Sequence, residues 1–331
     1  MGPCNDEKDL TMPKTTVVIP NYNGIEYIEG CLRTMPEDVP VIVVDNGSVD
    51  GSAAIVAERF PQVTLIRFAE NRGFPAAVNA GIKAATTPYV FLLNNDTTIQ
   101  PDTITEMEKV LDADAEAFSA SAKMISMYHP ELMDGAGDRY CLLGWAYARG
   151  KDRPVSSYTE NCSIFSSCAG AALYRTDVLK EIGLFDENHF AYLEDLDVGY
   201  RAQIMGYHNV FAANAVVFHA GSASSGSRHN AFKVTLSAQN SIYVAYKNMP
   251  FLQFLLNLPF LFLGVIVKFA FFCLKGLGTS YARGFCKGVH LCFSRQGRAR
   301  KVRFSAKNTL RYVWLEGLLI ADLGRLFMGR K

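Results

Sequence analysis

The first half of the chain alternates short apolar runs with amphipathic segments of helical length. The apolar runs are typical of buried strands, and the longer segments between them favour helices. Strands are predicted at 15–20, 39–44, 63–66 and 89–93, and helices at 25–35, 52–60 and 74–85. Since parallel strands need crossovers of about this length, the pattern predicts a mostly parallel sheet flanked by helices, an α/β fold.

After residue 96 this alternation becomes less regular, which indicates a mixed sheet rather than a purely parallel one. Further helices are predicted at 101–112, 176–181 and 194–205. Further strands are predicted at 118–127, 144–149, 169–175 and 209–218, the last as a short strand that closes the sheet.

The composition changes near residue 251. Residues 251–331 hold 14 Lys and Arg against Glu316 and Asp322, a net charge of +12, and the rest of the chain holds 19 basic and 30 acidic residues. A hydrophobic fraction of 49% excludes a disordered protein. We therefore expect a disordered N-terminal tail over 1–13, an α/β domain over 14–250 and a helical, membrane-associating or oligomerising tail over 251–331.

The tail combines an uncharged apolar stretch at 251–267 with a basic run at 283–311. Its apolar content favours a membrane over nucleic acid as partner, and the basic run suits the anionic cytoplasmic leaflet. An interfacial amphipathic anchor is the favoured interpretation of 251–274. A true membrane span and a homodimer core are the alternatives.

The termini and cysteines indicate a cytosolic chain. Residues 1–14 are polar and lack the apolar region of a secretory signal. The eight cysteines form no CxxC pair, so reduced thiols are expected.

Two acidic motifs follow predicted strands, at the edge where open α/β sheets bind ligands. Asp45 can accept a hydrogen bond from the imide N–H of a uracil or thymine ring, although turn capping explains the motif equally well. Asp96, in the sequence Asn-Asn-Asp, offers a hard oxygen ligand for a divalent cation. Its alternative explanation is an Asx turn that closes the strand.

A third group of carboxylates begins a predicted helix, where the helix dipole alone would favour acidic residues. The three carboxylates Glu194, Asp195 and Asp197 repel one another, which favours a raised pKa for one of them, and a carboxylate of this kind in a cleft is a candidate to deprotonate an alcohol. His219 ends a strand and is more often structural than a ligand. The glycine- and serine-rich loop after it leads to Arg228 and Lys233, which suit a diphosphate if the loop closes over a ligand.

The order and spacing of these motifs resemble an inverting glycosyltransferase of family 2 with the GT-A fold. Residues 18–23 resemble the family's opening strand, 44–51 its nucleotide-binding turn and 71–79 the segment over the nucleotide. Residues 183–187, followed by Glu194 and Asp195, resemble its acceptor-side loop and catalytic base segment. The resemblance covers about residues 14–250.

The resemblance implies a role for each matching residue. Asp195 is the implied general base, with Glu194 beside it, and Asp96 is the implied ligand of Mg²⁺ or Mn²⁺, with His219 as a second ligand. The implied nucleotide and donor ligands are Pro20, Tyr22, Asn23, Asp45, Asn71, Arg72, Gly73, Asn79, Asn94, Asn95, Arg228 and Lys233.

Within the family, the variant motifs look most like bacterial rhamnosyltransferases. The implied donor is a dTDP- or UDP-linked sugar, rhamnose first, and galactofuranosyl or other hexosyl transfer is the alternative. A lipid-linked or cell-surface glycan is the implied acceptor, at the cytoplasmic face of the membrane. Trp145 and Tyr192 are candidates to stack on acceptor sugar, with core packing favoured for either. The Gln-x-x-Arg-Trp motif of processive synthases is absent, which favours addition of one or a few sugars.

Other functions fit less well. A nucleotidyltransferase needs a glycine-rich phosphate loop with a basic residue, which residues 20–24 do not supply. No GxGxxG follows the first strand, so a dinucleotide-dependent oxidoreductase is disfavoured. A catalytically idle, membrane-docked nucleotide-binding module stays open as a different class.

Overall fold

The computed structural model describes residues 12–221 and 229–328. Within these residues a ten-stranded mixed sheet is flanked by helices, as the apolar pattern predicts. The described residues form ten strands in this sheet and two, β8 and β9, in a separate hairpin. They are β1 Thr15–Asn21, β2 Val41–Asp45, β3 Thr64–Arg67, β4 Tyr89–Leu93, β5 Thr97–Ile99, β6 Ala117–Ser126, β7 Met133–Gly135, β8 Asp138–Cys141, β9 Trp145–Ala148, β10 Cys162–Ile164, β11 Ala171–Arg175 and β12 His208–His219.

The helices cover both faces of the sheet and form most of the C-terminal part. They are α1 Ile28–Leu32, α2 Ser52–Arg59, α3 Phe74–Ala84, α4 Thr103–Ala113, α5 Thr176–Glu181, α6 Glu194–Ile204, α7 Ala231–Asn248, α8 Phe251–Leu274, α9 Gly278–Phe293, α10 Arg295–Ala299 and α11 Thr309–Phe327. Alternate residues of β1 supply the two cores, since Val17 and Ile19 pack on one face and Val18 on the other.

The strand order is β10-β12-β6-β11-β4-β1-β2-β3, with β5 on β12 and β7 on β6. The first four strands are parallel, whereas β11 runs antiparallel to both β4 and β6. The carboxyl ends of β1, β2 and β4 therefore lie at one edge, beside the amino end of β11. This edge collects the predicted polar residues.

Several predicted elements differ from those observed. The helix expected at 25–35 is shorter, since α1 covers only Ile28–Leu32. Residues 25–27 form a turn before it, and Asp50 accepts the backbone N–H of Ile25 at the start of that turn. The strand expected at 144–149 pairs with β8 in a separate hairpin. The strand expected to close the sheet, β12, is twelve residues long and lies between β10 and β6.

The C-terminal helices share a core with the sheet region. Tyr140 and Leu142 of the β8–β9 hairpin and Tyr200 of α6 pack in one cluster with Leu315 and Leu319 of α11. The α8 helix is long and apolar enough to cross a membrane by length and composition, with a mean hydropathy of 2.1. Only 11% of its most apolar window is buried. The division at residue 250 stays a prediction.

Candidate active site

Asn21 connects the ends of three parallel strands. The register of β1 on β2 places it opposite Asp45, and its amide nitrogen donates to Asp45 Oδ1 at 3.1 Å and to Ser52 Oγ at 2.8 Å. Its amide oxygen accepts from Asn95 Nδ2 at 2.8 Å. These contacts hold Asp45 and Asn95 together at the carboxyl edge of the sheet. Sequence reasoning did not single out Asn21, although it follows a strand as Asp45 does.

Asn46 fixes the segment that is predicted to lie over the nucleotide. Its amide nitrogen donates to Asn71 Oδ1 at 3.0 Å and to the carbonyl of Gly73 at 3.2 Å, and its oxygen accepts from the backbone N–H of Arg72 at 2.9 Å. Gly73 has φ +85°, and a Cβ there would lie 2.4 Å from the carbonyl oxygen of Phe190. Glycine is therefore required at this close approach.

The other predicted donor ligands lie in different settings. Tyr22, Asn23 and Arg72 are exposed at this edge, and the Arg72 guanidinium lies 4.9 Å from the centre of the Phe68 ring. Asn79 is buried, and its side chain donates to the Phe185 carbonyl and accepts from the Phe185 N–H, so it holds a turn. The remaining placements are Pro20 on β1, Asn71 before α3, Asn94 after β4 and Lys233 in the first turn of α7, whereas Arg228 lies outside the described residues.

The antiparallel pairing of β5 with β12 brings Asp96 beside His219. Asp96 Oδ1 lies 3.2 Å from His219 Nε2, and His219 Nδ1 lies 2.8 Å from Asp134 Oδ2. Burial lowers the pKa of His219, but the hydrogen bonds to Asp134 and Asp96 outweigh it and raise the pKa to about 9. Asp134 also forms an ion pair with Lys151. No sequence pattern indicated Asp134, because it lies on the three-residue strand β7.

The arrangement of Asp96 and His219 fits a divalent cation. Two neighbouring ligands of an octahedral ion, each about 2.1 Å from it, lie about 3 Å apart. The 3.2 Å between Asp96 Oδ1 and His219 Nε2 matches that separation. A bound ion would replace the proton on Nε2, and Asp134 would orient the ring through Nδ1, as carboxylates do for metal-bound histidines.

Asp195 lies at the start of α6, next to the segment that precedes β11. Its Oδ2 accepts from the backbone N–H of Ala169 at 3.2 Å, and its Oδ1 from that of Leu196 at 2.8 Å. The neighbouring carbonyl of Gly170 accepts from the N–H of Asn94 at 2.9 Å. The 168–170 segment therefore lies between the residues that follow β4, Asn94 to Asp96, and the carboxylate of Asp195.

Acidic neighbours surround Asp195. Carboxylate oxygens of Asp138 and Asp195 and the Cys168 sulfur all lie within 4.8 Å of one another. Glu194 is buried, and its Oε2 has no hydrogen-bond partner among the residues that the structure describes. Burial raises the pKa of Asp195, and burial together with the Asp195 charge raises the pKa values of Asp138 and Glu194. Asp195 is thus a stronger base than an exposed aspartate.

A comparison with protein families identifies the family to which this chain belongs. The sequence model of glycosyl transferase family 2 matches residues 16–183, which include Asp45, Asn71–Asn79 and Asp96. This chain belongs to glycosyl transferase family 2. The resemblance predicted from the motifs is confirmed, and the chain is a glycosyltransferase.

Relatives and solved structures agree with this family and fold. The glycosyltransferase is 26% identical over 239 residues to the N-acetylglucosaminyl-diphospho-decaprenol L-rhamnosyltransferase of Mycobacterium tuberculosis, covering 63% of this chain and 77% of the relative. It superposes on the mannosyltransferase PcManGT from Pyrobaculum calidifontis, solved with GDP-Man and Mn²⁺, with a TM-score of 0.52, 19% identity, and coverage of 97% and 89%.

A second solved structure, GalNAc-T7 with UDP, GalNAc and Mn²⁺, gives a TM-score of 0.58 at 12% identity. It covers 72% of this chain, and the glycosyltransferase spans about half, 48%, of that longer chain. At these identities the likeness shows the fold alone. The predicted GT-A fold, a mostly parallel mixed sheet flanked by helices, is confirmed.

Near Asp195 of this glycosyltransferase, partly on the same helix α6, lies a buried ionic cluster that the sequence did not indicate. Lys247 Nζ lies 2.7 Å from Asp186 Oδ2 and 2.8 Å from Asp197 Oδ2, and Arg201 Nε lies 3.0 Å from Asp197 Oδ2. Burial opposes ionisation of both carboxyl groups, yet the Lys247 charge keeps the pKa values of Asp186 and Asp197 below their usual range. The ammonium group thus occupies the position between these carboxylates and His189 where a cation would bind.

The two candidate acceptor residues contact the C-terminal helices. Trp145 Nε1 donates to the carbonyl of Gly264 on α8 at 3.1 Å, and Lys268 Nζ lies 5.4 Å from the centre of its ring system. The carbonyl of Tyr192 accepts from Asn240 on α7. Their role as acceptor ligands stays a prediction.

Proposed function

We propose that this glycosyltransferase moves rhamnose, with inversion, from a nucleotide-diphosphate donor to a hydroxyl of a lipid-linked glycan. The observation that carries the proposal is the presence of two separate groups of side chains at one edge of the sheet. Asp96 and His219 form one, and Asp195 forms the other, with the 168–170 segment between them. Inverting transfer needs leaving-group stabilisation and a general base as separate groups.

The donor would bind at the carboxyl ends of β1, β2 and β4. Asp45 is held there by Asn21, with a carboxylate oxygen able to accept from a pyrimidine imide. Arg72 is exposed beside this edge, where its charge suits a diphosphate. We also assign the remaining predicted donor ligands, among them Lys233 and Arg228, to binding of the nucleotide sugar.

Asp96 and His219 would hold Mg²⁺ or Mn²⁺. When bound, the ion would supply Lewis-acid stabilisation of the departing diphosphate. The protein's own contribution is the rigid placement of its ligands, since His219 is held by Asp134 and Asp96 follows directly on the buried Asn95. The Mn²⁺ in two solved structures of this fold supports the proposal.

The chemical step would be a single displacement. Asp195 takes the proton of the acceptor hydroxyl while that oxygen forms a bond to the anomeric carbon. The bond from the anomeric carbon to the diphosphate oxygen breaks, and its electron pair leaves with the nucleotide diphosphate. Glu194 lies beside Asp195 and is proposed to adjust its basicity.

A membrane location for the acceptor is supported by the outward face of α8. Its polar residues Gln253 and Asn257 point inward to Glu316 Oε2, at 2.7 and 2.9 Å, while Leu256 and Phe262 are exposed. The mycobacterial relative acts, by its name, on a decaprenol diphosphate. We propose that α8 and the basic helices after it bind the cytoplasmic face of the membrane, where such an acceptor would lie.

A donor screen tests the proposal. Thermal unfolding would be followed with dTDP-rhamnose, UDP-galactofuranose, UDP-glucose and UDP-N-acetylglucosamine, with and without Mn²⁺. At about 100 times Kd a donor adds about 2.7 kcal/mol of stability. We expect Mn²⁺-dependent stabilisation by dTDP-rhamnose. It should be lost in Asp96→Ala and kept in Asp38→Ala, which changes an exposed aspartate in the segment before β2.

Other results of the screen would redirect the proposal. Stabilisation by UDP-galactofuranose or another hexose donor would keep the class and change the sugar. Binding of a donor without hydrolysis or transfer would favour the catalytically idle, membrane-docked nucleotide-binding module. Unchanged donor affinity in Asp96→Ala would contradict its assignment as metal ligand.

A further inference from the structure

The loop before α6 has an unusual backbone. Phe190, Tyr192 and Leu193 all have positive φ angles, of +61°, +70° and +66°. L-amino acids other than glycine, asparagine and aspartate rarely adopt this region, so the surrounding structure has to hold the loop in place. Such concentrated strain is typical of segments that position functional groups.

Asn240 of α7 holds this loop through its side chain. Its Nδ2 lies 3.0 Å from the carbonyl oxygen of His189, 2.9 Å from that of Ala191 and 2.7 Å from that of Tyr192. The two amide protons are therefore shared among three carbonyl groups. Asn240 is fully buried, so water does not replace these bonds readily if they are lost.

The same loop connects the proposed base with the donor side. The carbonyl of Leu193 accepts from the N–H of Asp197 at 3.0 Å, which begins the hydrogen bonding of α6. Asp195 lies between these two residues in the chain. The carbonyl of Phe190 accepts from the N–H of Phe74 at 2.8 Å, at the start of α3. A change in the loop backbone would therefore move Asp195 relative to the donor segment.

We infer that Asn240 is a positioning residue that holds the 189–193 loop in its strained form and thereby fixes Asp195 for proton transfer. This inference rests on the proposed function, in which Asp195 is the base. Asn240 acts through the backbone, so its loss should affect turnover far more than donor binding. A misplacement of a reacting group by about 1 Å can cost about 100-fold in rate.

The test compares Asn240→Ala with Val234→Ala, which truncates a buried residue of the same helix that packs with Ala238 and Tyr281, away from the loop. We expect kcat to fall about 10- to 100-fold in Asn240→Ala, with donor KM changed less than about twofold. Hydrogen exchange of the 189–193 amides should become faster in Asn240→Ala alone. Val234→Ala should lose stability without either effect.

Two results would overturn the inference. One is a kcat of Asn240→Ala equal to that of Val234→Ala, and the other is a lower kcat without faster exchange in 189–193. If Asn240→Ala does not fold, Asn240→Ser, which keeps one donor, replaces it, with the same two readouts. Near wild-type turnover in Asp195→Asn would instead refute the proposed base itself, so the two failures are distinguishable.

Discussion

At the scale of single residues, the carboxylates of Asp96 and Asp195 have different surroundings. Asp96 lies 3.2 Å from the imidazole Nε2 of His219, a second group that can bind a cation, while Asp195 lies among Asp138, Glu194 and the Cys168 thiol. Two such ligands side by side suit a divalent cation, and burial among acidic groups favours proton uptake. The different environments suit a metal ligand and a general base respectively.

The prediction at this scale concerns Asp195. Asp195→Asn should lower kcat by a factor of about 100 or more, because the amide cannot accept the acceptor's proton. Donor binding, measured by calorimetry, should be retained. Asp177→Asn, which changes an exposed acid in the first turn of α5, is the matched control and should leave kcat unchanged. Turnover of Asp195→Asn close to wild type would contradict the role of base.

The sequence analysis found Asp45 and Asp96 by residue type and position after a strand, and Asp195 by its position at a helix start and by the family resemblance. It did not find Asp134, Asp138 or Asn240. These side chains reach the site from segments distant in the chain, and no local pattern records such contacts.

At the scale of elements, the long periodic segments were predicted well and the short ones were not. The strands near residues 15, 41, 64 and 89 lie within two residues of their predicted starts. The three-residue strands β5, β7 and β10 carry too few residues for any period to be visible. The helix α7 was not predicted, yet its Asn240 and Lys247 contact the residues on either side of Asp195.

The prediction at this scale concerns the ionic cluster between α6 and α7. Lys247→Met should destabilise the fold by about 3–5 kcal/mol at pH 7, because it leaves Asp186 buried without its cation and Asp197 with Arg201 alone. The folded-state pKa values of both acids are depressed, so their stabilisation is present above pH 3.8 and is lost as the pH falls further. The difference in stability between the variant and the wild type should therefore begin to shrink below about pH 4 and decrease further as the pH falls through the depressed folded-state pKa values.

Urea unfolding at pH 7 and pH 3.5 measures this difference. The control is Lys109→Met, since Lys109 forms an ion pair with Glu106 while its side chain is 66% exposed. That change should leave the free energy of unfolding nearly unchanged at either pH, because the exposed pair is screened by solvent. An equal loss for both lysine variants, or a Lys247→Met effect that does not depend on pH, would contradict the assignment.

At the scale of the whole molecule, an acidic α/β body carries a basic and apolar C-terminal part. The apolar side chains of α8 and α11, among them Leu256, Phe262 and Trp314, point away from the protein. Large exposed apolar areas next to positive charge mark surfaces that bind a membrane or a partner. The tail is also packed into the body through α11, so a bound membrane would hold the catalytic domain close to it.

The prediction at this scale is binding to lipid vesicles. The intact chain should co-sediment with vesicles that contain phosphatidylglycerol, and more weakly with neutral ones. Phe262→Asp should lower the partition coefficient by about tenfold or more, because burial of such a side chain contributes about 1.5–3 kcal/mol. Val49→Asp, at a position 90% exposed on the other part of the chain, is the control. Equal binding by both variants would exclude α8 as the membrane-binding surface.

The sequence by itself determined the sheet, the family and the kinds of residue at the candidate site. Apolar periodicity and motif spacing are local properties, so they can be read along the chain without knowing which distant segments meet. Only the tertiary structure decided that β12 lies inside the sheet, that Asp134 supports His219, and that α7 holds the loop before Asp195. Those contacts join segments up to about a hundred residues apart, and they arise from packing and hydrogen bonding of the folded chain as a whole.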